Sequence, residues 1–165
     1  MRRRSGNTIL ETALWIPFIM LLLMGMVNLG RLAYTYYTLH KILYNLARYL
    51  GTQQGVNFCD STDATMAAAE AYAISGTTDE GAPPILANLT PDMLQITIQR
   101  NDPTTQTLNT CDCTATGCDA SQGGLPPDVI VVSLTEGYPF QPNIPLLPLN
   151  PILLKPQVEI PYGGT

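Results

Sequence analysis

Charged side chains are scarce in this sequence, and histidine and tryptophan occur once each. Only 13% of the 165 residues are charged, about half the quarter that is usual for soluble globular proteins. The hydrophobic fraction of 45% excludes a disordered tail, because such chains are poor in apolar residues and rich in charge. Eight basic residues against thirteen acidic ones exclude a basic nucleic-acid-binding domain. The length is that of one domain, or of one domain with an appendage.

A recognisable catalytic set is also missing. The single histidine, His40, lies in a stretch that predicts a membrane-proximal helix, and no serine or cysteine there makes a convincing nucleophile with it. The sequence has neither a glycine-rich phosphate loop after a strand nor an H-E-x-x-H motif. We therefore expect no enzymatic activity and no cofactor.

The few charges are segregated along the chain. Residues 1–50 hold six basic residues and one acid, a net charge of +5 (6 minus 1). Residues 52–165 hold twelve acids and only two basic residues, Arg100 and Lys155, a net charge of −10 (2 minus 12). The chain therefore reads as a basic, apolar N-terminal region followed by an acidic, loop-rich body.

A long uncharged run follows the N-terminal arginines. Residues 12–30 are nineteen consecutive uncharged residues, which as a helix span roughly 28 Å, close to the hydrocarbon thickness of a bilayer. The preceding Arg2, Arg3 and Arg4 place the N-terminus in the cytoplasm and the body across the membrane. Pro17 is tolerated in a membrane helix that has helical neighbours. We expect a transmembrane segment over residues 9–30.

Two other interpretations of this run stay open. A removable secretory signal also has basic residues before an apolar run, although this run is long and no clear A-x-A cleavage site follows it. The second is a signal anchor that is never cleaved. The residues around Glu11 bear on the choice.

Glu11 lies near the start of the apolar run, where an acidic side chain is costly unless something neutralises it. A cut after Gly6 would make Asn7 the new N-terminus and Glu11 the fifth residue. The amine of a neighbouring copy's Asn7 and Glu11 would then pair two charges that are each costly in a bilayer, and the pair would fix the axial register of adjacent helices. Alternatively, Glu11 lies at the membrane interface and has no role.

The stretch SGNTILETALWIPFIMLLLMGMVNLGRLAY resembles the class III signal and helix of type IV pilin-like proteins. It is most similar to the TadE family, pseudopilins or minor pilins of the tight-adherence (Flp-type) machinery. The matching features are Gly6, Glu11, Ala13, Pro17, the leucine-rich run and Gly30-Arg31. Asn7 and Thr12 depart from the aromatic residues that major type IV pilins often have at those positions, which favours TadE over a major pilin.

The resemblance implies a leader, residues 1–6, that a prepilin peptidase removes after Gly6. The mature chain would be a structural subunit, a minor pilin or pseudopilin, that assembles into or primes a tight-adherence filament, with Glu11 and Pro17 as assembly residues. Its implied partners are other pilin-like subunits, the prepilin peptidase, the inner-membrane assembly platform and membrane lipid. The implied location is the bacterial inner membrane, with a periplasmic head, or a cell-surface filament that serves adhesion.

The apolar pattern continues beyond the run as a heptad stripe with alternating spacings of 3 and 4 residues. We predict one long helix over residues 7–51, about 65 Å long, with an amphipathic part from residue 31 and a stop at Gly51. The stripe either packs under the chain's own body or bundles with other subunits, and in a pilin-like protein both uses coexist. Its members are Leu29, Leu32, Tyr36, Leu39, Leu43, Leu46 and Leu50.

Residues 52–165 predict a small extracytoplasmic α+β head. Residues 61–75 are rich in alanine and predict a second helix capped by Ser61 or Thr62. Residues 93–100 alternate apolar and polar side chains as a half-buried strand does, and residues 128–138 predict a more apolar, central strand. A third strand within 155–162 is flanked by Pro156 and Pro161, which favour a sheet edge. We expect a pilin-like fold whose mostly antiparallel sheet has three or four strands.

Four cysteines, Cys59, Cys111, Cys113 and Cys118, lie in this head. An even number in a small exported domain predicts two disulfides, with three possible connectivities. We expect Cys59 to link the end of the long helix to the 111–118 loop. The C-x-C-x4-C spacing is unlike the paired C-x-x-C units of zinc sites, so we expect no metal there.

Two loop features have competing interpretations. Asp112 and Asp119 would suit calcium, but no D-x-D-x-D-G loop is present and a solvated acidic loop is the simpler alternative. A proline at every third position of residues 139–151 is typical of polyproline II and would line one face of an extended segment. That segment is either a stiff connection between strands or a surface for a partner. It suggests an alternative function, an unprocessed signal-anchored periplasmic binding module. The prolines are Pro139, Pro142, Pro145, Pro148 and Pro151.

Overall fold

The computed structural model describes residues 5–60, 62–79, 81–113, 117–119, 122–144 and 149–163, with side chains from Glu11 onward. A long helix leads into a head made of a short helix and two antiparallel sheets. The elements are α1 (Ser5–Thr52), α2 (Ala64–Ser75), a 3-10 turn (Pro91–Met93), β1 (Leu94–Asn101), β2 (Leu108–Thr110), β3 (Val129–Leu134), β4 (Tyr138–Phe140), β5 (Ile152–Leu154) and β6 (Gln157–Pro161).

Helix α1 is continuous over 48 residues and contains Pro17, so at 1.5 Å per residue it is about 72 Å long. It ends one residue after the predicted stop. Gly51 has a different role from the predicted one, because β6 crosses the helix there. A Cβ on Gly51 would lie 3.0 Å from the Ile160 Cδ1 atom. The carbonyl of Gly51 also accepts a hydrogen bond from the amide of Gly163 at 3.0 Å.

The C-terminal half of α1 packs against the head along one face, which we call the head's floor. Its fully or almost fully buried side chains recur at intervals of three and four and form a broad face rather than a narrow two-position seam. This face contacts α2, β3 and β6. Its members are Leu39, Ile42, Leu43, Leu46, Ala47 and Leu50.

Helix α2 begins at a different cap from the one the sequence predicts. Asp63 is the N-cap, since its carboxylate accepts hydrogen bonds from the amides of Thr65 at 2.7 Å and Met66 at 3.3 Å. Ser61 lies outside the described residues, and Thr62 instead donates to Asp60. An Asp cap serves as well as Ser or Thr, and the helix starts two residues later. Its Gly76 C-cap has the left-handed φ of 80°.

The main sheet has four antiparallel strands in the order β2-β1-β3-β6. Strand β3 is central and apolar, as predicted, and pairs Ile130 with Ile98 of β1 and Val132 with Val158 of β6. Strand β6 lies on the edge, as its flanking prolines predict. The predicted strand over residues 128–138 is divided, because β3 stops at Leu134 and Gly137 turns the chain at φ 89°.

Strands β4 and β5 form a separate two-stranded sheet, with Tyr138 opposite Leu154 and Phe140 opposite Ile152. The proline-rich segment is the connection between these strands, and its Pro145 and Pro148 lie outside the described residues. The phenol of Tyr138 donates to the carbonyl of Ala87 at 2.8 Å and so ties this sheet to the loop before β1.

A single hydrophobic cluster lies between α1, α2 and the main sheet. No buried polar or charged side chain occurs in the part of the chain that the structure describes. The fold is therefore α+β, a long apolar helix followed by a head, as the sequence predicts.

Candidate functional site

The N-terminal half of α1 is apolar on every side and touches almost nothing. All side chains from Glu11 to Val27 are exposed, Leu22 by 65% and Met26 by 70%. An 18-residue window there has a mean hydropathy of 2.0, with none of it buried. A helix that is hydrophobic all round belongs in a protein core or a membrane. Among the described residues, α1 is the one helix whose length and composition would allow it to cross a bilayer.

The predicted processing and assembly residues lie at the start of this half. The backbone of Gly6 and Asn7 is within α1, while their side chains lie outside what the structure describes. Glu11 is exposed on the helix, and Pro17 lies six residues further on without ending it. The structure therefore places Glu11 on a helix surface that no other element of the described chain covers.

A shallow apolar groove runs along the same side of α1 as Glu11. Gly25 lies fourteen residues after Glu11, two heptads of a helix, and so shares its face. A Cβ at Gly25 would meet no atom within 4 Å, so this residue leaves a notch between larger side chains. Small residues let neighbouring membrane helices approach closely. The groove is lined by Phe18, Leu21, Leu22, Gly25, Met26, Leu29 and Gly30.

The predicted heptad stripe divides at the boundary between the two halves. Leu39, Leu43, Leu46 and Leu50 are fully buried under the head, and Leu32 packs partly against the core. Leu29 is 69% exposed and Tyr36 is 47% exposed. The C-terminal part of the stripe is thus buried under the head, while its N-terminal part is exposed.

Asn28 connects the apolar half of α1 to the head, a contact that the sequence does not predict. Its side-chain Oδ1 accepts from the amide of Asn143 at 3.0 Å, and its Nδ2 donates to the carbonyl of Asn143 at 3.1 Å. The same Nδ2 donates to the carbonyl of Met24 at 2.9 Å. The only sequence signal was a lone amide near the end of an apolar run.

The four cysteines form two disulfides, Cys59–Cys113 and Cys111–Cys118. Cys59 thus links the segment after α1 to the 111–118 loop, and no cysteine is free. Within the described residues, no group of three His, Cys, Asp or Glu side chains could hold a metal ion. Asp112 is exposed, and its backbone carbonyl accepts from the amide of Cys118 at 3.1 Å.

Two carboxylates at the start of the head, Asp60 and Asp63, accept hydrogen bonds from nearby residues. The Thr62 hydroxyl, 2.6 Å away, lowers the pKa of Asp60. Burial raises the pKa of Asp63, but hydrogen bonds from the amides of Asn57, Thr65 and Met66 outweigh it, so the net shift is downward. These two carboxylates fix the chain between Cys59 and α2. They are therefore caps and turn formers rather than acid–base groups.

Glu70 differs, since burial and then the negative charge of Asp92 raise its pKa. It lines a groove beside Ala67, Ile74 and Pro91. His40 is exposed on α1. In the described part of the chain, no hydrogen bond joins Glu70 or His40 to a nucleophile, and the apolar half of α1 offers an anchoring and packing surface.

Residues 6–48 match the model of the family described as TadE-like protein. The match covers 43 residues (48 minus 5), about a quarter of the chain, and coincides with most of α1. No curated protein and no solved structure gives a significant match. TadE-like pilin proteins are structural, and over its N-terminal helix the chain is similar to this family, the one that Gly6, Glu11 and the apolar run indicate.

Proposed function

We propose that this protein is a TadE-type structural subunit, a minor pilin or pseudopilin, that assembles into or primes a tight-adherence filament. The observation that carries the proposal is the exposed apolar half of α1 within the matched segment, next to a head whose core is packed on the other half. A helix of this kind has two suitable environments, lipid and the apolar faces of neighbouring helices.

The proposed orientation has the N-terminus in the cytoplasm and the head in the periplasm. Arg2, Arg3 and Arg4 precede the apolar run, in agreement with the positive-inside rule. Two disulfides suit a head that folds in an oxidising compartment. The domain division follows, with a leader at residues 1–6, the helix at 7–51 and the head at 52–165.

Assembly in this proposal begins with removal of the leader after Gly6 by a prepilin peptidase. The new amine at Asn7 would enter the apolar layer with an unpaired charge, and Glu11 of a neighbouring subunit would neutralise it. The Gly25 notch lies on the face of Glu11, so it supports close packing of a second helix on that side. The inner-membrane assembly platform would then pass the subunit from lipid into the filament.

The decisive substitution is Glu11→Ala, with Glu136→Ala in an exposed turn of the head as the matched control. Glu11→Ala is expected to leave membrane insertion intact and to lower the assembled fraction about tenfold or more, because an amine would stay unpaired in the apolar layer. Crosslinking of subunits in membranes measures that fraction. If Glu11→Ala and Glu136→Ala assemble equally well, Glu11 is incidental and the proposed register fails.

An unprocessed, membrane-tethered binding module is the other candidate, and the exposed apolar side chains of Leu149, Ile152 and Leu153, before and within β5, favour it. It predicts that the Met1 end of the chain is retained and that Glu11 is dispensable. The same crosslinking experiment separates the two functions, because a monomeric tethered module shows no contacts between α1 helices.

A further inference from the structure

The loop between β4 and β5 is held against the membrane-directed half of the chain's own long helix. The side-chain amide of Asn28 pairs with both backbone groups of Asn143, at 3.0 Å and 3.1 Å. This is the two-bond arrangement by which one strand pairs with another. The side chain of Gln141, just after β4, donates to the carbonyl of Leu149, near β5, at 2.9 Å. Among the described residues of this connection, Asn143 therefore has a defined position along α1, and Leu149 is bonded to Gln141, two residues before Asn143.

That position is at the outer end of the apolar run. Asn28 lies within the uncharged residues 12–30 and three residues, or roughly 4.5 Å, before the charged Arg31. It also lies eleven residues, about 16 Å, before Leu39, the first fully buried residue of the head's floor. The loop thus extends from the head well down the helix toward the N-terminal half.

The composition of this part of the head is unlike that of the rest. Residues 137–154 are eighteen consecutive residues without a charge, flanked by Glu136 and Lys155. Leu149 is 41% exposed and Ile152 is 47% exposed. The remainder of the head carries its net charge of −10 (2 minus 12) on other segments. The uncharged segment is therefore the part of the head that can approach an apolar layer at least cost.

The Asn28–Asn143 contact also removes the usual obstacle to such an approach. Irregular backbone is excluded from lipid because its N–H and C=O groups have no partners there. Asn28 supplies a partner for each of these groups of Asn143, and its second amide hydrogen is donated to Met24. At Asn143 the loop can therefore meet the membrane boundary with its backbone hydrogen bonds satisfied.

We propose that the described residues of the β4–β5 connection, 141–144 and 149–151, lie on the outer surface of the bilayer and place Leu149 among the lipid headgroups and upper acyl chains. The occupant is lipid rather than a second subunit, because the hydrogen bonds that set the loop's depth are made within one chain. The proposal rests on the proposed function only in requiring that α1 spans the membrane. The loop would thus be a second membrane contact that fixes the height of the head.

Tryptophan fluorescence in nanodiscs that hold one copy of the full chain tests this proposal. The only tryptophan, Trp15, lies in the apolar half of α1, so quenching of the unaltered protein by lipids brominated on their acyl chains reports on the anchor alone. In a Trp15→Phe background, Leu149→Trp reports on the loop. Leu125→Trp is the matched control.

Leu125 is more exposed than Leu149 and lies close in sequence to the end of the sheet that is bonded to the C-terminal end of α1. It is 58% exposed, and its amide donates at 3.2 Å to Gly117, inside the loop closed by the Cys111–Cys118 disulfide. That loop is bonded to Cys59, which follows the C-terminal end of α1. Asp128, three residues after Leu125, accepts at 2.9 Å from the amide of Tyr162, and the amide of Gly163 donates at 3.0 Å to Gly51. This end of the sheet therefore lies beside Gly51, which is 23 residues of helix (51 minus 28), or about 35 Å, beyond Asn28.

We expect brominated lipid to reduce the emission of the Leu149→Trp variant about twofold, as for a side chain buried some 5–10 Å in the interface, and to leave Leu125→Trp unchanged. Adding Asn28→Leu should abolish most of the quenching of Leu149→Trp. Quenching of Trp15 without quenching of Leu149→Trp would overturn the loop proposal and leave the anchor standing.

The remaining outcomes are equally decisive. Absence of quenching at both sites would refute the transmembrane placement of α1 and the loop proposal with it. A blue shift of Leu149→Trp only in discs that hold several copies would identify a second subunit as the occupant and overturn the lipid assignment. Unchanged quenching in Asn28→Leu would overturn the role of Asn28 in setting the loop's depth.

Discussion

The two halves of α1 each carry a long row of apolar side chains but have opposite surroundings. From Leu39 to Leu50 the helix buries six side chains under α2, β3 and β6, whereas every side chain from Glu11 to Val27 is exposed. The head covers the C-terminal half with α2, β3 and β6. In the described part of the chain, Asn143 is the residue of the head that hydrogen-bonds to the N-terminal half.

Coverage by the chain itself defines what each half does. A side chain that is buried within the monomer contributes to the free energy of unfolding, while one that is exposed in the monomer contributes to contacts with lipid or neighbours. We therefore expect substitutions in the C-terminal half and in the head to change the free energy of unfolding. Substitutions in the N-terminal half should instead change membrane binding and assembly.

The largest expected effect on stability is at the disulfide that ties the head to the end of α1. Cys59 and Cys113 are 54 residues apart, so replacing both with serine should lower the free energy of unfolding by about 4 kcal/mol in the chain-entropy model. Replacing Cys111 and Cys118, seven residues apart, should cost about 2 kcal/mol. Denaturant unfolding in detergent micelles, followed by near-ultraviolet circular dichroism, measures both losses. Equal losses would contradict the entropic account.

A pair of leucine substitutions tests the comparison between the two halves directly. Leu46 is completely buried, and Leu46→Ala should lower the free energy of unfolding by about 3 kcal/mol through lost burial and the cavity left behind. Leu22 is 65% exposed, and Leu22→Ala should change it by less than about 0.5 kcal/mol. The same unfolding measurement applies. Similar losses for the two variants would mean that the N-terminal half belongs to the folded core.

The smallest effect concerns Glu70, whose pKa is raised above its ordinary 4.5 by burial and by Asp92. Because the fold favours the protonated acid, its contribution to stability is present below pH 4.5 and is lost as the pH rises through the raised value. Glu70→Gln should therefore stabilise the head at pH 7, by no more than about 0.5 kcal/mol, and change little at pH 4. Thermal unfolding at the two pH values checks the sign. A destabilised variant at pH 7 would contradict it.

Features that depend on local periodicity were predictable from the sequence. The long helix, the alternation of β1, the apolar central β3 and the edge position of β6 each follow from a pattern within a few turns or residues. The sequence prediction joined residues 128–138 into one strand, because it gave no weight to the polar Thr135 and Glu136 before Gly137, where the chain turns with a left-handed φ of 89°.

Features that join distant residues were not predictable. Gly51 is small because β6 crosses α1 there, and Asn28 pairs with a residue 115 positions later in the chain. The cysteine spacing left three connectivities open, and only the fold brings Cys59 to Cys113. For Glu11, our proposal places the partner in a second molecule, so no contact within one chain can reveal it.

The measurement that tests the central claim most directly is mass spectrometry of the N-terminus of the protein isolated from bacterial membranes. The proposed function predicts a chain that begins at Asn7, with Glu11 as its fifth residue. A chain that retains Met1 or Arg2, or one cut far from Gly6, would contradict the claim that this helix is processed for assembly.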